Sequence, residues 1–496
     1  MKKGKWFGTL YTDKDIPLEW IERWKNAQPE SDMNLPPPNP FLTTDFTLLP
    51  EEQNNPEYPE KVLETPIMEV WYKKDQKFKL PIACYYLYLI SPLVAESALS
   101  QCKSEILLSL FDMQLAESIY PAQKAELSYF CYTDDRGFVF KISGYNQKLP
   151  IVMSLLSDHL KKIQSELSQD MFVALKEKLM DMYYNQLIEP STITADLRLN
   201  LLIDKYFTST EKFASISQVT YEDMKIFCVD FLQNLFIKAL VQGNVDKQTA
   251  VGVTQEFVQV LGCSPLDKKL YPQFKIWELP KGEKCCRVKS LNQNDSNSFV
   301  SNYYQSGPYN LRDSIILELI MMIIEEPLFD ILRTKEQLGY SLYCKQIETF
   351  GIMGYIITIN AQATKNTTTY VDQRIENFIS TMQETLNKMS NNKFNQVKRD
   401  LIKLKQCADV VLQEEVSRNW SEITEDDYMF DRLKKEVVMI ETIKIADVRK
   451  FWEVTNILGD NQNYKKLTIQ VVGYNINSED GSPSKINNVC GVYKQK

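Results

Sequence analysis

The stretch FDILRTKEQLGYSLYCK, residues 329–345, sets a guanidinium (Arg333) and a phenol (Tyr340) on either side of a short segment that ends in Gly339. Both groups donate hydrogen bonds, so together they can hold a peptide carbonyl or a developing oxyanion. Pro327 predicts the start of a short helix, Gly339 its end through a positive φ, and Tyr340 the start of a strand. That order places Arg333 and Tyr340 together at a sheet edge or cleft wall. The competing arrangement pairs Arg333 with a nearby acid such as Glu336 and packs the ring of Tyr340. Glu325 and Glu326 precede Pro327, which reads as acids at the positive end of a helix dipole rather than as a general acid/base pair.

No reactive partner stands beside this pair. The chain has one histidine, His159, in the amphipathic LLSDHLKKI. Neither H-E-x-x-H nor H-x-x-E-H can be written with one histidine. A nucleophile elbow, a dinucleotide fingerprint and a P-loop are all missing from the sequence. A hydrolase working through His159 alone is therefore the weakest reading. The ten cysteines contain no C-x-x-C pair, which argues against a zinc ribbon or disulfide framework and for reduced thiols. A net charge of −8 argues against a nucleic-acid partner. The N-terminus has no apolar core of a signal peptide, and the run from Ile315 to Ile324 is interrupted by Glu318, so no membrane span is expected. Sequons at Asn294, Asn366 and Asn419 matter only in a secreted protein.

A chain of 496 residues needs more than one core. LPPPNP at 35–40 is stiff and extended, and residues 1–43 read as a connector, which suggests that something precedes them. One order of elements then occurs twice. MEVWYKKDQKFKLPIACYYLYLIS, a helix from Ser97 and YPAQKAELSYFCY parallel KCCRVKSLNQNDSNSFVSNYYQS, a helix from Asp313 and LRTKEQLGYSLYC. Later, VTYEDMKIF (219–227) resembles IKIADVRKF (443–451), each before a strand that ends in glycine. Such long-period similarity means two copies of one unit, here 44–270 and 271–496. The helix from Asp313 is apolar nearly all round and should be buried, whereas RIENFISTMQETLNKM carries one apolar face. Strands followed by runs of helix favour an α+β class.

LRTKEQLGY is similar to a specific segment of the pitrilysin family of inverse-zincin metallopeptidases. WYKKDQKFKLP (71–81), LVQGNV (240–245), YYQSG (303–307), AQATK (361–365) and NWSEI (419–423) look like one branch of that family, and the blocks reach LTIQVVGYN (467–475). The resemblance implies a LuxS/pitrilysin-like fold: two homologous α+β domains, each a mostly antiparallel sheet with helices packed on one face, third and fourth of four. It implies that zinc belongs to an N-terminal half carrying H-x-x-E-H, so this chain should hold no metal or other cofactor and no complete catalytic set. Arg333 and Tyr340 would bind substrate backbone and support the tetrahedral state. Tyr129 occupies the parallel position, but Ala122 falls where Arg333 would be, so that copy reads as structural. KLKQCADVVLQEE (403–415) replaces a basic nucleotide-contacting loop, which puts nucleotide binding in doubt. The partners implied are a peptide substrate, with basic or dibasic sites in the branch resembled, and the N-terminal half in cis or in trans. Oligomerisation is left open, and the setting expected is cytoplasmic. The chain is thus expected to be the non-catalytic half of a zinc metalloendopeptidase, inactive alone. The alternative is a non-enzymatic interaction module derived from one.

Overall fold

The computed structural model describes residues 1–28, 37–51, 53–456, 463–474 and 492–493. Residues 35 and 36 of the proline-rich stretch, and Cys490, lie outside them. Met1–Pro40 is a unit by itself. It contains a two-strand hairpin, β1 (Lys2–Lys3) and β2 (Leu10–Tyr11), and the helix α1 (Leu18–Lys25), on which Trp20 and Trp24 approach to 6.2 Å.

From Phe41 onward the chain forms one compact unit built on two sheets. The first contains β3 (Glu60–Glu64), β4 (Met68–Lys74), β5 (Ile82–Ile90), β6 (Ser128–Asp134), β7 (Gly137–Tyr145) and β8 (Asn234–Gly243), with the short β9 (Ser264–Pro265) beside β8. After the small β10 (Ile276–Trp277), which pairs with β16 (Val492–Tyr493), comes the second sheet. Its strands are β11 (Gly282–Lys289), β12 (Asn297–Pro308), β13 (Gly339–Thr349), β14 (Ile352–Gln362) and β15 (Lys465–Val472). The spatial orders are β3-β4-β8-β5-β7-β6 and β11-β15-β12-β14-β13. Dropping β3, the two orders superimpose strand for strand. Each also has a parallel pair at the same place, β4 with β8 and β11 with β15. The doubled unit of the sequence is a doubled α+β fold.

The helices repeat in the same way. Between β5 and β6 lies α2 (Ala98–Lys124); between β7 and β8 lie α3 (Leu149–Lys162), α4 (Gln169–Leu187), α5 (Pro190–Leu202), α6 (Ser209–Ile216) and α7 (Tyr221–Gln233); α8 (Lys247–Leu261) follows. In the second half α9 (Leu311–Leu328) leads from β12. After β14 come α10 (Thr368–Lys388), α11 (Asn391–Lys405), α12 (Leu412–Thr424), α13 (Arg432–Thr442) and α14 (Ile445–Asn456). The two similar segments seen in the sequence start α7 and α14. Thr220 and Asp223 form a reciprocal cap on α7, and the Asp447 carboxylate accepts from the Lys444 N–H at the start of α14. The apolar stripe Ile375, Phe378, Ile379, Met382 and Leu386 of α10 is buried, as its period requires.

Each sheet packs most of its own helices on one face. The other face is covered by a helix from the opposite half. α12 lies across β5 and β8, and α5, its counterpart in the repeat, lies across β12 and β15. On α12, Leu412, Val416, Trp420 and Ile423 recur at helical spacing and pack against Trp71, Tyr86, Tyr88 and Leu240. On the other side Leu202 and Ile203 pack with Tyr303, Ile356, Leu467 and Ile469. Buried polar groups fix the register of α12. Gln242 donates to Glu415 at 2.9 Å and accepts from Asn419 at 2.9 Å, and the Lys238 ammonium donates to the Ile423 carbonyl at 2.8 Å. Asn419 is 2 % exposed, so its sequon cannot be glycosylated in the folded chain.

Trp420 stands edge-on to Tyr86 with ring centroids 5.8 Å apart. Replacing it by alanine leaves a cavity between the halves and should cost about 3–5 kcal/mol. Urea unfolding followed by circular dichroism checks this, and the loss should appear in one cooperative transition because the core removed is shared.

Candidate functional site

α9 does not stop at Pro327. It runs through the proline and continues as a wider π-type turn over Phe329–Lys335. Proline supplies no N–H to the ladder and crowds the preceding turn. The turn beyond is consequently loose: the Glu336 N–H reaches back five residues to the Ile331 carbonyl at 2.9 Å. What keeps the segment helical is burial. Ile320, Ile324, Leu328 and Leu332 form one continuous stripe, none of it exposed, in the core of the second half. Burying four such side chains outweighs the roughly 3 kcal/mol penalty of an internal proline. The expected helix start at Pro327 is therefore corrected. Glu325 and Glu326 lie in the last turn of α9, not at a helix N-terminus. The positive φ also falls elsewhere, on Gln337 (52°) rather than Gly339.

Gly339 is needed for a different reason. In the ladder with β14, Gly339 faces Ala361 and Ser341 faces Asn360, which leaves Tyr340 as an extra residue in a bulge. A Cβ on Gly339 would sit 1.9 Å from the carbonyl oxygen of Asn360. The first half shows what happens without the bulge. There Ser128 faces Ser143 and Tyr129 faces Ile142 in unbroken register. Tyr129 turns inward, its ring against Phe111 and its hydroxyl donating to Asp112 at 3.0 Å. Ala122 is fully buried beside it in the same core. Tyr340, in contrast, is 86 % exposed. One extra residue re-aims the tyrosine from core to cleft.

Arg333, in the π turn, meets Tyr340 there. Its guanidinium lies 4.2 Å from the Phe329 ring centroid and 4.7 Å from that of Tyr340. The nearest acids in sequence are engaged elsewhere. Asp330 pairs with Lys335 at 2.6 Å, and Glu336 accepts from Arg374 at 2.7 Å. The pairing of Arg333 with Glu336 that the sequence left open does not form. The result is a cation without a carboxylate partner among the described residues, clamped by two rings at the wall of a cleft of about 370 Å³. Residues 337–339 and 341, with Asn297, Asn360, Gln362 and Lys365, complete the lining, and among the described residues it contains no carboxylate. The Oδ1 of Asn360, which lines the cleft through other atoms, is buried and has no hydrogen-bond partner. The sequence reading missed Asn360 as a site residue. Its only signal was a polar side chain closing the apolar strand YIITIN.

A second cleft, of about 580 Å³, lies at the far end of β13. Carboxylates distant in the chain meet in it, Asp135 from the β6–β7 turn, Glu348 from β13, Glu422, Glu425 and Asp427 in and after α12 and Glu436 from α13, together with Arg198 and with Arg432, which pairs with Glu422 and Asp427. Burial, with Asp134 and Glu425 adding repulsion against the opposing Arg136, pushes the Asp135 carboxyl up to about 6. Burial and neighbouring carboxylates raise Glu348 and Glu425 as well. No local motif marked this cleft, because its acids are distant in the chain. His159 lies on α3 and lines neither cleft.

The model of the middle or third domain of peptidase M16 matches residues 1–215, and that of the peptidase M16 inactive domain matches residues 218–401. The chain belongs to this family, the pitrilysin-type metallopeptidases. Within it, the chain is 38 % identical to nardilysin of Rattus norvegicus over 485 residues, covering 97 % of this chain and 41 % of that protein. Insulin-degrading enzyme of Homo sapiens is 30 % identical over 479 residues, covering 96 % of this chain and 46 % of that protein. The chain thus spans about half the length of the curated relatives it matches. Among solved structures, pitrilysin superposes with a TM-score of 0.78 at 19 % identity, over 92 % of this chain and 47 % of that one.

Because the Gly339 bulge sets the direction of Tyr340, Gly339→Ala should disturb the cleft more than the fold. The expected outcome is a loss of about 1–3 kcal/mol of stability from the overpacked strand pair. A crystal structure of the variant, compared with that of the parent, would report whether the Tyr340 ring has moved.

Proposed function

We propose that this chain forms the substrate-binding wall of a nardilysin-like zinc metalloendopeptidase and works only together with a zinc-binding N-terminal half, joined in cis or supplied in trans. The observation that carries the reading is the Arg333 guanidinium, held between Phe329 and Tyr340 at the wall of an open cleft with no counter-ion among the described residues. A guanidinium neutralised by a carboxylate has little left for a ligand. One fixed by two rings keeps its donors free for a peptide carbonyl and for the charge that develops on it. The Tyr340 hydroxyl adds a second donor.

The chain's own donors do not fit zinc. It has one histidine, and among the described residues no group of three or more His, Cys, Asp or Glu is placed to hold an ion. Zinc and its general base would come from the N-terminal half, and the residues of this chain act on the peptide alone. Preference for basic or dibasic sites is part of the proposal, supported by the identity to nardilysin. The second reading, a peptide-binding module without catalysis, is favoured by the match of residues 218–401 to a domain described as inactive.

The test is reconstitution. The chain is mixed with a separately produced N-terminal half of a nardilysin relative, and cleavage of a dibasic peptide is followed. Recovered cleavage that is lost in a chelator supports the proposal, with kcat/KM falling about 10²–10³-fold in Arg333→Ala and less in Tyr340→Phe. Association without cleavage favours the binding module, and cleavage indifferent to both substitutions contradicts the assigned role of the pair.

A further inference from the structure

β13 is the outermost strand of its sheet, with nothing paired along its free side among the described residues. It is eleven residues long, against seven for its counterpart β6, and its residues are exposed or half-buried nearly throughout. An unpaired edge of this length is a template for another strand. Its two ends differ in charge. Beside Gly339 and Tyr340 stand Arg333 and Lys365, with no carboxylate in the lining. Beside Glu348 stand Asp135 and Glu425, while Asp427 is paired with Arg432 at 2.6 Å and Arg198 also lines the cleft, so that carboxylates remain in excess. From Tyr340 to Glu348 the strand covers about 27 Å, at roughly 3.4 Å per residue.

We propose that β13 is a docking edge for an extended peptide. The peptide pairs as an added strand, places a basic side chain in the acidic cleft, sets a carboxylate against Lys365 and leaves Arg333 for a backbone carbonyl. The inference rests on the reading that peptide passes Arg333 and Tyr340, and adds to it a path, a backbone mode of recognition and a charge order. Main-chain pairing supplies affinity that is indifferent to sequence, while the charged ends select which peptides settle and in which register. The occupant is therefore an extended peptide with opposite charges about eight residues apart.

The experiment uses the intact chain and a fluorescein-labelled, end-capped peptide of about ten residues, with Lys-Arg at one end, Asp-Glu at the other and Thr, Val and Ser between. Both chain directions are made, since the added strand can run either way. Binding is read by anisotropy. N-methylation of alternate backbone amides, which blocks strand pairing and needs no protein variant, should weaken binding at least about tenfold. Interleaving the charges should weaken it several-fold, and Glu348→Gln with Glu425→Gln should abolish the advantage of the basic end. An N-methylated peptide bound as tightly as its parent overturns the proposal, as does indifference to charge order. If binding falls in Arg333→Ala while both of those controls show no effect, the docking edge fails and the cleft reading stands. If Arg333→Ala changes neither binding nor reconstituted cleavage, the cleft reading fails as well.

Discussion

A sheet has two faces, and in this chain the helices of one half bury only one face of their own sheet. The reciprocal placement of α5 and α12 resolves this constraint, and the rest of the structure depends on it. Trp420, Val416 and Leu412 close the outer face of the first sheet; Leu202 and Ile203 close that of the second. Neither half on its own would cover its apolar strands, so the two fold as one body. The exchange also makes a surface. The acidic cleft sits where the β6–β7 turn of the first half meets the segment after α12, and it exists only because those elements are interlocked.

Within that frame, function rests on a difference of one residue. The two halves share strand order, a parallel pair and an edge strand that begins with a leucine, a small residue and a tyrosine. In the first half the small residue is Ser128 and the ladder is regular, so Tyr129 is drawn into the core by Asp112 and Phe111. In the second it is Gly339, whose missing Cβ lets the backbone approach the Asn360 carbonyl and bulge. Tyr340 then projects into solvent beside Arg333. A duplicated fold thereby yields one structural edge and one edge that can meet a ligand.

Much of this was legible in the sequence, for identifiable reasons. The repeat was visible because one order of strands and helices occurs twice, with VTYEDMKIF matched by IKIADVRKF, and the all-apolar α9 declared its burial. Arg333 and Tyr340 were found because their types suit peptide binding and the segment resembles a known one. The local path between them was misread, because tertiary burial of Leu328 and Leu332 overrode the helix-breaking rule for Pro327. The glycine rule also pointed to φ when the real demand was close backbone approach. The exchange of α5 and α12 left no local signal at all, since an apolar stripe does not say which sheet it will cover. The acidic cleft was invisible for the same reason.

The central claim is that the Arg333–Tyr340 wall receives peptide backbone. A crystal structure of this chain soaked with an extended peptide tests it most directly. The account predicts a peptide carbonyl oxygen within about 3 Å of both the Arg333 guanidinium and the Tyr340 hydroxyl, with Phe329 still stacked on the arginine. Peptide bound elsewhere, with Arg333 turned to a protein carboxylate such as Glu336, would contradict it.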